Sequence, residues 1–257
     1  LAGPAVAVDV ALVPAQAHAW RNTVCVVIDE LRASSTITTL LDLGCGEILV
    51  TSRLADARQL ARTHPGLLVG ERHGVRPPGF DLNNSPAELR RATVRGQSVV
   101  LCTTNGTRVL LSVRHQPAVL VGCLLNACAS AQAAATLAGA LDLNVGIVCA
   151  GQDGQFALDD AVAAGAIATR LVQRLRTLGR PVRLSDAARA ALRLRAGYRN
   201  PATALRQSSS GRLLLELRSA ADIEICSRVD SSTSVALLQP GSPMRLVPWV
   251  PPGPTTP

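Results

Sequence analysis

Along this chain the apolar positions change period again and again, from runs of four to six consecutive residues to amphipathic stretches of ten or more. The strongest run is Val24, Cys25, Val26, Val27 and Ile28, apolar on both alternating faces. A strand satisfies that pattern only when both faces of its sheet are covered, so it predicts a central parallel strand. Asp29 to Arg32 break the run, and Ser34, Ser35 or Thr36 is expected to cap a helix carrying Ile37, Leu40 and Leu41 until Gly44 ends it. Asp29 therefore stands where a strand becomes a helix.

The same alternation continues downstream. Strands are read at 5–13, 47–50, 67–70, 98–103, 118–122 and 145–149, and helices at 54–63, 86–91, 108–113, 127–141 and 159–178. Ser85-Pro86-Ala87-Glu88 has the form of a capping box with proline in the first turn. Thr104-Asn105-Gly106-Thr107 reads as a tight turn with positive φ. Beyond residue 180 the pattern weakens: a helix capped by Ser185, a turn at Asn200-Pro201, and a helix or strand pair over 211–225. No internal repeat is visible. Residues 243–257 hold six prolines, which predicts a surface or disordered tail rather than a central strand. Strand and helix in turn imply a three-layer α/β/α fold with a mostly parallel, at most mixed, sheet: one domain over residues 1–240, and a Pro-rich tail over 241–257.

Composition narrows this picture. The 257 residues can bury a full core, and 47% apolar with only 2% aromatic content makes that core one of Ala, Val, Leu and Ile. Seven cysteines, without any C-x-x-C pair, read as buried thiols rather than a disulfide framework or a zinc site. No run approaches the ~18 apolar residues of a membrane span, and the start lacks a basic signal-peptide region, so a cytoplasmic protein without a membrane partner is expected.

Charge is uneven. Residues 1–160 carry −1 and residues 161–257 carry +9 of the net +8, and every basic residue is Arg. Eight arginines face one acid between Arg180 and Arg212, yet two Phe, two Trp and one Tyr offer little for bases to stack on, which ranks nucleic acid last among partners. The expected partner is a small anion and, at most, a second copy of the chain.

Parallel strands joined by right-handed crossovers end on one edge of a sheet, where ligands bind and helix N-termini present free N–H groups. Asp29 and Arg32, Glu71, Thr104 to Thr107, Asn126 and the 151–160 loop should meet there. The side chains suit a hard cation and an oxyanion. Asp159 and Asp160 also have an innocent use as helix N-terminal acids, and the four histidines read as solvated. No G-x-S-x-G, P-loop or G-x-G-x-x-G sequence is present, which argues against a serine hydrolase and the common nucleotide folds.

Several of these pieces carry a resemblance. IDELRASSTI at 28–37, GER at 70–72, GFDLNNSP at 79–86, TTNGT at 103–107, LNA at 125–127, AG at 150–151, LDDAVAAG at 158–165 and the segment from Asp222 to Asp230 resemble, in order, the motifs of the 2-phosphosulfolactate phosphatase family. Glu30, Asn83 and Asp159 depart from its usual residues. The resemblance implies an Mg²⁺-dependent phosphatase that removes phosphate from a small sulfonated 2-hydroxy acid, as in coenzyme M biosynthesis. Asp29, Glu71 and Asp160 are then the expected metal ligands, with Asp29, Arg32, Thr104 and Asn105 catalytic. Ser35, Thr36, Asn84, Ser85, Gly106, Thr107 and Asn126 are expected to bind substrate. Asp29 would serve either as nucleophile or in activating water. The competing reading is a small-anion-binding or regulatory protein that uses the crevice without turnover.

Overall fold

The computed structural model describes residues 4–252. Eleven strands form one sheet: β1 (Val6–Ala11), β2 (Thr23–Ile28), β3 (Glu47–Thr51), β4 (Leu67–Gly70), β5 (Leu82–Asn83), β6 (Ser98–Cys102), β7 (Ala118–Val121), β8 (Asn144–Cys149), β9 (Val182–Leu184), β10 (Ala236–Gln239) and β11 (Met244–Pro248). Their spatial order is β5-β4-β6-β3-β11-β10-β7-β2-β8-β1-β9. The expected central strand is β2, buried throughout and paired in parallel with β7 and β8.

Ten helices follow the strands: α1 (Ala33–Asp42), α2 (Leu54–Thr63), α3 (Pro86–Leu89), α4 (Gly106–Ser112), α5 (Ala127–Leu141), α6 (Leu158–Thr177), α7 (Asp186–Gly197), α8 (Pro201–Gln207), α9 (Ser209–Glu216) and α10 (Ala220–Cys226). A 3₁₀ turn, Pro14–Ala19, joins β1 to β2. Asn200 caps α8, accepting from the Ala202 N–H, where the sequence predicts only a turn. In α1 the hydroxyls do not cap. Thr38 and Thr39 donate to carbonyls one turn back, and Gly44, at φ +74°, ends the helix as expected, its N–H meeting the Leu41 carbonyl.

The Pro-rich segment corrects the sequence reading. Instead of a surface tail, β11 lies inside the sheet, antiparallel to β3 on one side and to β10 on the other. Pro243 precedes the strand and Pro248 closes it, so neither removes an interior ladder donor, and Arg245 and Leu246 pair on both sides. The last residues, 253–257, lie outside the described part.

This hairpin has a large consequence. Seven of the ten strand pairings are parallel and the three antiparallel ones all involve β10 or β11. Strands β7, β2, β8, β1 and β9 thus form one parallel block, and β3, β6, β4 and β5 a second that runs in the opposite sense. Strand twist of roughly 20–25° per step accumulates to roughly 100–125° over the five steps from β2 to β6, offsetting much of that reversal.

The core follows the same geometry. One cluster packs Val24, Val26, Leu120 and Ile147 under α5 and α6; another packs Leu49 and Val100 with Ala57 of α2. Between them a single cluster joins Cys25, Val27 and Val148 of the first block to Ile48, Val50 and Leu101 of the second, around Ile37 and Leu40 of α1 and Leu110 of α4. Helices α1 and α4 are therefore wedged between the two blocks, and the loops feeding them are brought together.

Candidate active site

A crevice of about 80 Å³ opens at that junction, lined by Asp29, Arg32, Glu71, Asn84, Thr104 and Asn105 among others. Asp29 follows β2 directly. Its Oδ1 accepts the Ala33 N–H at 3.2 Å, and its own N–H donates to Ser34 Oγ at 2.9 Å. Gly106 is the first residue of α4 and does not take the positive φ expected of it. Glycine is needed there for approach: a Cβ would sit 2.7 Å from Asp29 Oδ2 and from the Ala33 Cβ. Burial lifts the Asp29 carboxyl to about 7, with the backbone N–H groups of Ala33 and Gly106 working against it and the Glu71 and Asp159 charges adding to it.

Glu71 follows β4 and is fixed from two directions. Its Oε1 accepts the Thr104 N–H at 2.6 Å, and its Oε2 accepts the Gly74 N–H at 2.9 Å and Thr104 Oγ1 at 3.1 Å. Thr104 therefore positions a carboxylate. Two matched turns flank the opening: Arg72 pairs with Val75 around His73 and Gly74, and Gln152 pairs with Gln155 around Asp153 and Gly154. All four central residues have φ between +50° and +79°, and His73, Gly74 and Asp153 line the crevice. His73, read from sequence as merely solvated, is exposed but stands at this mouth.

Arg32 pairs with neither Asp29 nor Glu30. Its Nη1 donates to Asp222 Oδ2 at 2.6 Å and its Nη2 to the Gly74 carbonyl at 3.0 Å, all within the protein. Asp222 Oδ1 in turn accepts Ser85 Oγ and the Ala87 N–H. This carboxylate, on α10, aims the guanidinium, and the sequence reading assigned it no role. Its signal is its place at the start of the Asp222 to Asp230 segment that carries the family resemblance. Ser210, Leu213 and Leu214 of α9, from the stretch with the weakest pattern, form another part of the wall.

Several expected site residues lie elsewhere. Asp160 is behind the crevice, its Oδ1 accepting the Glu30 N–H at 2.7 Å and its Oδ2 the Gly151 N–H at 2.8 Å, so both oxygens clamp backbone. Ser35 donates to Glu30, and Thr36, fully buried, has a hydroxyl without a partner. Ser85 caps α3 and holds Asp222. Thr107 and Thr103 bond reciprocally across the turn into α4. Asn126 is fully buried, its amide tying Cys123, Thr38, Val121 and Ser234 together. These groups build the crevice without facing it. Asn84 does face it, buried, with an Oδ1 that has no partner.

Among the described residues no group of three or more His, Cys, Asp or Glu side chains is placed to hold a metal ion, so Asp29, Glu71 and Asp160 are not a joint ligand set. Two carboxylates and an unpartnered amide oxygen on one small crevice do fit a hard cation, which takes oxygen ligands and keeps several waters.

The fold and crevice define an α/β protein whose strand-end loops set buried carboxylates beside an arginine, a site for phosphate chemistry. The family model for 2-phosphosulpholactate phosphatase matches residues 11–241. A probable 2-phosphosulfolactate phosphatase of Deinococcus radiodurans is 41% identical over 85% of this chain and 88% of its own. The protein of the same description from Thermus thermophilus is 36% identical over 89% and 92%. The chain belongs to the 2-phosphosulfolactate phosphatase family, and with it to the phosphoric monoester hydrolases. No helix in its described part is long and apolar enough to cross a membrane.

Proposed function

We propose that this protein hydrolyses 2-phosphosulfolactate to sulfolactate and phosphate with Mg²⁺, a reaction of the coenzyme M biosynthesis type. The observation that carries this reading is the convergence of Asp29, Glu71 and Arg32 on one crevice whose volume suits a phosphoryl group better than a large ligand. The relatives' descriptions supply the substrate. Asp29 and Glu71 would hold the cation, whose chemistry when bound is to offset negative charge on the phosphoryl oxygens.

The chain's own residues supply the rest. Arg32, with two of its N–H groups spent on Asp222 and Gly74, keeps others for the oxygens of the transferred group. Preorganisation by Asp222 means the guanidinium needs no reorientation as charge develops. Asn84 and Asn105 orient the substrate's remaining polar atoms. Asp29, the carboxylate nearest the start of α1 and α4, is the residue on which turnover depends.

The test is phosphate release from a panel of phosphorylated 2-hydroxy acids, with Mg²⁺ and with excess chelator. The expected result is release from 2-phosphosulfolactate that falls to background on chelation and returns on adding Mg²⁺. Release indifferent to chelation would remove the cation from the reading. A folded protein that binds the panel without turnover would leave the anion-binding alternative standing.

A further inference from the structure

A second cavity, about 420 Å³ against the crevice's 80 Å³, lies directly beside it, and Asn105 and Asp153 line both. The partition is slight: the Asp153 N–H reaches Asn105 Oδ1 at 3.4 Å, near the limit of a hydrogen bond. Its lining also includes Arg108 of α4, His18 of the 3₁₀ turn and Ser112, whose hydroxyl donates to the Val109 carbonyl. Arg108 is exposed and makes no hydrogen bond or ion pair with any described residue. Asp153 borders this cavity too but forms no ion pair with it.

The charges of the crevice make this neighbour informative. A substrate of the proposed kind carries a phosphate, a carboxylate on the same carbon, and a sulfonate one carbon further away. Asp29, Glu71 and Asp153 face the crevice, and its arginine is already paired with Asp222. The donors that Arg32 keeps go to the transferred phosphate, and among the described residues the crevice lining holds no second arginine for the third anion. We propose that the sulfonate is received in the adjoining cavity by Arg108, which makes Arg108 a specificity-determining residue for substrates bearing a distal anion. The inference rests on the phosphatase reading given above. A guanidinium supplies several donors in a planar fork, suited to the oxygens of a sulfonate.

The experiment compares 2-phosphosulfolactate with 2-phospholactate, which replaces the sulfonate-bearing carbon by a methyl group, on wild type and on Arg108→Met, with Arg108→Gln as a second variant. Both variants should melt with the wild type, since Arg108 holds nothing. The expected result is a kcat/KM for 2-phosphosulfolactate lowered by about 10- to 100-fold, the worth of one charge-assisted contact, and a value for 2-phospholactate within about twofold of wild type. Equal losses on both compounds, or none on either, overturn the inference. If wild type turns over neither compound, calorimetric binding of 2-phosphosulfolactate decides it separately. Weakening by the same factor in Arg108→Met keeps the sulfonate pocket while the phosphatase reading falls, whereas equal affinity, or no binding by either protein, overturns the pocket.

Discussion

The crevice wall of Asp29 and Glu71 and the layer behind it, Glu30 and Asp160, are built from the same two acidic residue types put to opposite uses. Glu30 follows Asp29 in the chain yet is wholly buried, with Oε2 accepting the Leu124 N–H at 2.9 Å and Oε1 accepting Ser35 Oγ at 3.3 Å. Burial lifts Glu30 to about 8, and lifts Asp160 well above the usual carboxylate range, with the Asp159 and Asp29 charges adding to it. Asp29, at 8% exposure, keeps an edge on the crevice. A carboxyl held wholly inside the protein is a clamp, and one that keeps an edge on the crevice, as Asp29 and Glu71 do, is available for chemistry.

Three substitutions press on that contrast. The largest effect is expected for Asp29→Asn, which preserves shape and removes the charge. Phosphate release should fall by about a thousandfold or more while the melting temperature holds or rises. Near-normal release from a folded Asp29→Asn protein would transfer the chemistry out of the front wall.

A smaller loss is expected for Arg32→Lys. The lysine keeps a charge for Asp222 but lacks the planar fork, so kcat and kcat/KM should drop together, by about 10- to 100-fold, if the contact strengthens as the P–O bond breaks. Because Arg32 and Asp222 are both buried, the variant should also melt lower. Lower melting with unchanged kinetics in the folded fraction would make Arg32 a clamp like its neighbours behind.

The smallest effect on turnover belongs to Glu30→Gln, within about threefold, because the amide keeps an oxygen for the Leu124 N–H. Its signature is in stability against pH. A carboxyl raised from 4.5 to about 8 binds its proton more tightly in the folded state, so its favourable share is full below about pH 4.5 and is lost as pH rises towards 8. Asp29, raised to about 7, contributes in the same direction. Wild type should therefore lose stability between pH 5 and 8, and Glu30→Gln should lose less, by something on the order of a few kcal/mol at most. Parallel melting curves for the two proteins across that range would show that burial leaves Glu30 ionised.

The sequence alone determined the elements whose signals are local. Period placed β2, α2 and β4, the caps Ser85 and Ser185 placed α3 and α7, and the acid after the most apolar run led to Asp29, because a strand buried on both faces must end before a charge. Tertiary structure decided what depends on partners far along the chain. Pro243 and Pro248 argued against a strand, and only the free ladders of β3 and β10 show that β11 belongs between them. Arg32 was legible as a guanidinium at a helix start, but its partner is 190 residues away. Ser35, Thr107 and Asn126 looked like ligand donors because polar side chains beside a strand end look alike in sequence. Whether such a group faces a cavity or spends its hydrogen bonds inward is settled by what packs against it, which local pattern does not encode.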